Sequence, residues 1–264
     1  MEVFLNSAIL AFVQGITEFI PVSSSAHLLF FRKFLDICND HSFDVFLNLG
    51  TLCAVLCFFR YETKKLIAGG LDFLFFKQSE NKSFFYDILI ANIPTFLIFG
   101  TVEFFYGKQT ESIFVLVISL ILFSFVIYYC DTKFDTNKSN YPSRKEWFLI
   151  GVAQVLAIVP GISRLGVTTA VFRCLKYDRI SSFKYSLILS VPAVAGACFL
   201  KCIKLIKYQS YSFDSVQMLV CLLISFVVSI ATLRIVISFL RTHTYFAFVV
   251  YRVIFGLLIL FFMF

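Results

Sequence analysis

A carboxylate, a hydroxyl and an imidazole lie close together in the stretch Gln14-Gly15-Ile16-Thr17-Glu18-Phe19-Ile20-Pro21-Val22-Ser23-Ser24-Ser25-Ala26-His27. A guanidinium follows much later, in Pro160-Gly161-Ile162-Ser163-Arg164-Leu165-Gly166-Val167-Thr168. Both stretches interrupt strongly apolar sequence. An unpartnered hydroxyl or amide in hydrocarbon costs about 2–7 kcal/mol, and polar residues at membrane depth are read first as functional.

The spacing suggests how these groups meet. Glu18 follows Gln14 by four residues, so a helix puts both on one face. Ser24 and His27, three apart, share a face if a helix restarts after Pro21. Ser23 or Ser24 can cap that restart. The plainer reading makes the serines caps and His27 a core histidine; Glu18 beside them favours a site. In the second stretch Pro160-Gly161 and Gly166 bracket Ser163-Arg164, and glycines let backbone N–H groups turn toward an anion. Arg164 offers a planar fork suited to phosphate oxygens, with Ser163, Thr168 and Thr169 as hydroxyl donors. Snorkelling to the interface is its plainer role. An acid, a histidine, a serine and an arginine make a phosphoryl-transfer set when a divalent cation joins them. The apolar setting points to a lipid phosphate or diphosphate.

The elements that must hold these groups are membrane helices. Of 264 residues 59% are hydrophobic and 15% charged, against about 25% charged in soluble domains. The expected fold is an all-α polytopic membrane protein in a single domain, 1–264. Six stretches are long enough to span: Phe43–Phe59, Phe84–Tyr106, Ile113–Cys130, Phe183–Ile206, Val216–Leu240 and Tyr245–Phe264. Val3–Leu35 and Trp147–Leu175 are broken by proline and glycine and read as re-entrant helical hairpins. Each hairpin precedes three spans, and three is odd. Two repeats, about 1–130 and 147–264, therefore lie inverted, and their hairpin tips can meet near the midplane.

The net charge of +7 is spread over short loops and forms no basic face, so nucleic acid is not an expected partner. The bias toward Arg60, Lys64, Lys65, Lys77, Lys82, Lys133, Lys138, Arg144, Lys145, Arg173, Lys176, Arg179, Lys184 and Arg241 assigns those loops to the cytoplasm. The start, Met1-Glu2-Val3, lacks a basic signal region, so the first segment is expected to be retained. The eight cysteines form no CxxC pattern and read as small apolar residues. Asp44 reads as a helix-start charge. Glu103, Arg234 and Arg252 either line the bundle interior or snorkel and pack.

At the residues of both stretches the sequence resembles the undecaprenyl-diphosphatase family of the bacitracin-resistance type. Further similarity runs through Phe43-Asp44, Leu49-Gly50-Thr51, Ile93-Pro94, Gly151-Val152-Ala153-Gln154, Val191-Pro192, Tyr251-Arg252 and Gly256. The resemblance implies hydrolysis of undecaprenyl diphosphate to the monophosphate, which recycles the lipid carrier for cell-wall synthesis and gives bacitracin resistance. It also implies Mg2+ or Ca2+, a site facing outward from the bacterial inner membrane, and a polyprenyl diphosphate and the lipid bilayer as partners. A homodimer is compatible with it. By position, Glu18 would be the essential acid, binding metal (with Gln14 in support) or acting as base. Ser24 would be the nucleophile, with metal-bound water as rival, and His27 its acid/base partner. Arg164 would grip the diphosphate, with Ser23, Gly161, Ser163, Gly166 and Thr168 as substrate-binding residues.

Three positions depart from that pattern. Gln14 stands where some members carry a second glutamate, which weakens a two-carboxylate metal site. Leu165 replaces a serine and offers no phosphate contact, and Ala26 replaces a glycine.

Two rivals deserve comparison. A transporter or flippase would use the same broken helices but needs no nucleophile. The acid-phosphatase-like lipid phosphatases need an Arg-Pro motif and a histidine after Ser-Arg, where this chain has Ala170; that reading is excluded.

Overall fold

The computed structural model describes residues 2–37, 41–106, 112–134, 138–208 and 214–263, and these are almost wholly helical. The helices are α1 (Glu2–Thr17), α2 (Ser24–Phe34), α3 (His41–Phe58), α4 (Arg60–Leu74), α5 (Glu80–Tyr106), α6 (Ile113–Lys133), α7 (Arg144–Gln154), α8 (Arg164–Cys174), α9 (Arg179–Tyr208), α10 (Ser215–Leu240) and α11 (Phe246–Met263). Five helices, α5, α6, α9, α10 and α11, are long and apolar enough to cross a membrane. The chain is a polytopic all-α membrane protein.

The two broken segments are pairs of short helices, α1–α2 and α7–α8. Proline and glycine sit in the joints: Pro21 before α2, and Pro160-Gly161 before α8, after a 3-10 turn at Val155–Ile158. Gly161 has φ +89° and faces α6 so closely that a Cβ would lie 2.1 Å from the Leu116 carbonyl oxygen. Only glycine satisfies both constraints.

One expected span is different in form. α3 is followed at once by α4 with a bend of 97°, so that stretch crosses a membrane only if the bent pair is taken together. Residues after Phe59, read from sequence as a charged loop, are the helix α4. Its glycines permit this: a Cβ on Gly69 would fall 2.0 Å from the Asn81 carbonyl oxygen of α5. Thr63 Oγ1 donates to Leu56 O at 3.1 Å across the bend. Asp44 pairs with Arg32, tying α3 to α2. Arg234 is exposed, and the side chain of Glu103 lies outside the described residues.

Packing crosses between the halves of the chain. α1 lies against α10, which also fills the flank of α3, and α7 lies against α5. Small residues make these approaches: a Cβ on Gly50 would sit 2.5 Å from Leu222 O, and one on Gly151 2.0 Å from Ala91 O. The largest apolar cluster joins Phe19, Val55, Phe123, Ile127, Leu165, Phe183, Leu187 and Leu233 beneath both joints.

At one end of the bundle Asp131 accepts from Arg173 Nε at 2.8 Å, Arg179 Nε at 2.9 Å and the Tyr245 N–H at 3.0 Å. Nearby, Ser143 caps α7 in a reciprocal box with Glu146. Glu146 also binds Lys138 and raises its ammonium above the ordinary lysine value.

Candidate active site

Glu18 follows the last residue of α1, its N–H still bonded to Gln14 O at 3.0 Å. Its carboxylate is shared. Oε2 accepts from Ser24 Oγ at 2.7 Å and from Gln14 Nε2 at 3.1 Å, while Oε1 accepts from Arg164 Nη2 at 2.8 Å. Three residues from two hairpins thus converge on one carboxylate. The Ser24 hydroxyl has its proton aimed at a base, which is the geometry of an activated nucleophile. Both Ser24 and Arg164 begin short helices, where the helix dipole favours an anion.

The backbone delivers Ser24 by a strained turn. Ser23 has φ +72°, in the left-handed region that non-glycine residues rarely occupy. It takes the N-cap position of α2 without a side-chain cap bond, and its hydroxyl instead pairs with Ser25 Oγ at 3.1 Å.

Two polar atoms at the site lack partners among the described residues: Arg164 Nε and Gln14 Oε1, both buried. The first is a cationic donor suited to a phosphate oxygen. The second is a neutral acceptor suited to a hard cation or a water. Gln14 is oriented by Asn48, whose Oδ1 accepts from Gln14 Nε2 at 2.9 Å. Asn48 was not selected from sequence, although a polar amide inside an apolar span was the signal that could have found it.

Other expected residues have partners away from the carboxylate. His27 does not touch Ser24 or Glu18. Its Nδ1 lies 2.8 Å from Ser23 O and its Nε2 2.8 Å from Tyr251 Oη, with the ring stacked on Phe255 at 3.9 Å. A carbonyl only accepts, so Nδ1 carries the proton and donates to Ser23 O, and a neutral ring accepts the Tyr251 O–H at Nε2. His27 braces the strained turn, and both its nitrogens are occupied. Its sequence spacing from Ser24 gave the right helix face but missed a partner from the far end of the chain.

Thr168 is also turned away: its hydroxyl donates to Arg164 O at 3.1 Å within its own helix, and Thr169 donates to Leu165 O at 2.6 Å. Ser163 is the N-cap of α8, accepting from the Gly166 N–H at 3.2 Å, which leaves its own O–H hydrogen to donate, whereas the Thr168 hydrogen is taken up within its helix. Gly166 packs on Ile127 of α6, and Gly161 forms the turn described above. Leu165 is buried in the core below the joints. Of the expected residues, Glu18, Ser24, Arg164 and Gln14 come together; His27, Ser23, Gly161, Ser163, Gly166 and Thr168 build the walls.

Comparison with known proteins places the chain in a family. The family model described as bacitracin resistance protein BacA matches residues 7–258. The chain belongs to that family. An undecaprenyl-diphosphatase of Saccharophagus degradans is 30% identical over 96% of this chain and 95% of its own length. Proteins of the same name from Campylobacter curvus and Clavibacter michiganensis subsp. michiganensis are each 31% identical, covering 96% and 97% of this chain and 96% of their own lengths. Both halves of the Glu18–Arg164 pair fall inside the region that the family model covers.

Proposed function

We propose that this protein is an undecaprenyl-diphosphatase: it removes the terminal phosphate of undecaprenyl diphosphate, returns the monophosphate carrier to cell-wall synthesis and confers resistance to bacitracin. The observation that carries this reading is the single carboxylate of Glu18, bonded at once to Ser24 and to Arg164. A transporter would need the arginine but not a hydroxyl seated on a base.

In this mechanism Arg164 binds the diphosphate through Nε and Nη2, moving one charge-assisted bond from Glu18 to a phosphate oxygen. Glu18, relieved of that partner, becomes a better proton acceptor for Ser24. Ser24 Oγ attacks the terminal phosphorus, and its proton passes to Glu18. The bond from phosphorus to the bridging oxygen breaks, and undecaprenyl phosphate leaves with the electron pair and takes the proton back from Glu18, which is again a carboxylate. Water then attacks the phosphoserine with Glu18 as base, releasing phosphate and restoring the hydroxyl. Arg164 and the starts of α2 and α8 stabilise the charge that builds on the phosphoryl oxygens.

A divalent cation, Mg2+ or Ca2+, is part of this reading. Among the described residues no three His, Cys, Asp or Glu side chains gather, so Glu18 and Gln14 Oε1 are the donors the site offers. Such a sparse oxygen set suits Mg2+, which keeps waters and takes substrate phosphate oxygens as ligands. When bound, the ion would neutralise charge on the diphosphate.

The reading places the site toward the outer face of the inner membrane. It also treats the chain as two inverted repeats, and the crossed packing of α1 on α10 and α7 on α5 supports that. The test is phosphate release from a polyprenyl diphosphate by the detergent-purified protein, with and without Mg2+, beside Ser24→Ala. Release that Ser24→Ala abolishes supports the serine route. Near-normal turnover in Ser24→Ala would leave direct attack by water, and no release from the parent protein with added cation would sink the enzyme reading.

A further inference from the structure

Arg252, near the middle of α11, is fully buried, and among the described residues no carboxylate is one of its hydrogen-bond partners. Its fork is spread over backbone. Nη1 donates to Pro21 O at 2.9 Å and Nη2 to Gly161 O at 3.2 Å; Nη2 also donates to Leu120 O at 2.9 Å. Nε donates to Ser124 Oγ at 2.9 Å and Leu120 O at 3.3 Å. Pro21 and Gly161 are the joints of the two hairpins. Ser24 stands three residues beyond the first joint, and Arg164 three residues beyond the second.

We infer that Arg252 is the positioning residue of the site: one guanidinium holds both hairpin joints and so sets the distance between Ser24 and Arg164. Where a helix breaks at membrane depth, its turn carbonyls lose their in-helix donors and need others. Two such carbonyls, one from each hairpin, are met by one rigid plane whose remaining edge is fixed to α6. A flexible group could satisfy either carbonyl, but a planar fork also fixes their separation. Arg252 makes no hydrogen bond to the side chains of Glu18, Ser24 or Arg164, so it acts through the backbone turns and not on substrate.

The rate consequence rests on the phosphatase reading; the structural one does not, and the experiment separates them. Arg252→Lys keeps the charge but replaces the fork by a single flexible ammonium. A misplacement of the reacting groups near 1 Å predicts a fall in kcat of about tenfold to a hundredfold, with KM held within about threefold because Arg164 remains. Amide exchange followed by mass spectrometry supplies the second readout. The Val22 N–H bonds to Ile20 O and the Ile162 N–H to Val159 O, so both turns carry amides that report on opening. Their exchange should rise together by about tenfold while α11 stays protected.

Should Arg252→Lys fail to fold, Ser124→Ala, which removes one anchor of Nε inside α6, should give the same pattern in weaker form. Unchanged exchange at both turns, faster exchange at one turn alone, or a raised KM with kcat intact would overturn the inference. If the parent protein releases no phosphate, the enzyme reading falls and the exchange result still decides the role of Arg252.

Discussion

Replacing Glu18 by Gln isolates what the shared carboxylate does. The amide has the same shape, so the core residues below it stay packed. It differs at two contacts. The Ser24 hydroxyl, 2.7 Å from Oε2, loses a base, and Arg164 Nη2, 2.8 Å from Oε1, loses its anion. An amide has only one acceptor oxygen, so either Ser24 or Arg164 must face an NH2 group. General-base loss is worth about 10²–10⁴ in rate, or about 2.7–5.4 kcal/mol of barrier. The arginine should be more available to the diphosphate once the carboxylate no longer competes. Glu18→Gln should therefore lose kcat by about 10²–10⁴ while KM stays level or falls. The assay is steady-state phosphate release from a polyprenyl diphosphate in detergent micelles. A kcat within about threefold of the parent, or a loss carried wholly by a raised KM, would refute the shared-carboxylate mechanism.

Other outcomes follow from the same geometry. Thr168→Val should keep kcat/KM within about threefold, because the hydroxyl bonds to its own helix and not to substrate; a large loss in the same phosphate assay would return Thr168 to the site. His27→Asn retains a donor near the Nδ1 position and should preserve more turnover than His27→Ala, with the shape of the pH–rate profile unaltered. Loss of one limb of that profile would restore an acid–base role. Asp131→Asn removes the anion that two arginines share, of which Arg173 is almost fully buried, and should lower stability by about 3–5 kcal/mol, read as a reduced Tm in detergent. Gly151→Ala drives a methyl into the Ala91 carbonyl and should cost about 1–3 kcal/mol, seen as a lower Tm with kcat per folded molecule retained.

What could be read in the sequence was local. Pro21, Pro160 and Gly161 break apolar runs, and the breaks are where α1–α2 and α7–α8 are jointed. The four-residue step from Gln14 to Glu18 and the isolation of Arg164 among apolar residues pointed to the groups that do converge. What could not be read depended on distant partners. His27 is explained by Tyr251 and Phe255, and Asn48 by Gln14. Neither pairing leaves a periodic trace. α4 was missed for another reason: its charges and paired glycines look like a loop, and only its close fit on α5 makes them a helix. The turn of the Thr168 hydroxyl onto Arg164 O leaves no trace in the sequence either, since a hydroxyl in a helix can always bond the preceding carbonyls.

The crossed packing of α1 on α10 has a consequence for how the chain is made. α1 leaves the ribosome well before α10, the helix it fits against through Gly15 facing Val228 and Ser229 Oγ donating to Gly15 O at 3.4 Å. During synthesis the amino-terminal hairpin, with its carboxylate and strained turn, must wait in the bilayer without its cover. A chain cut short before α10 would leave that polar hairpin open to lipid.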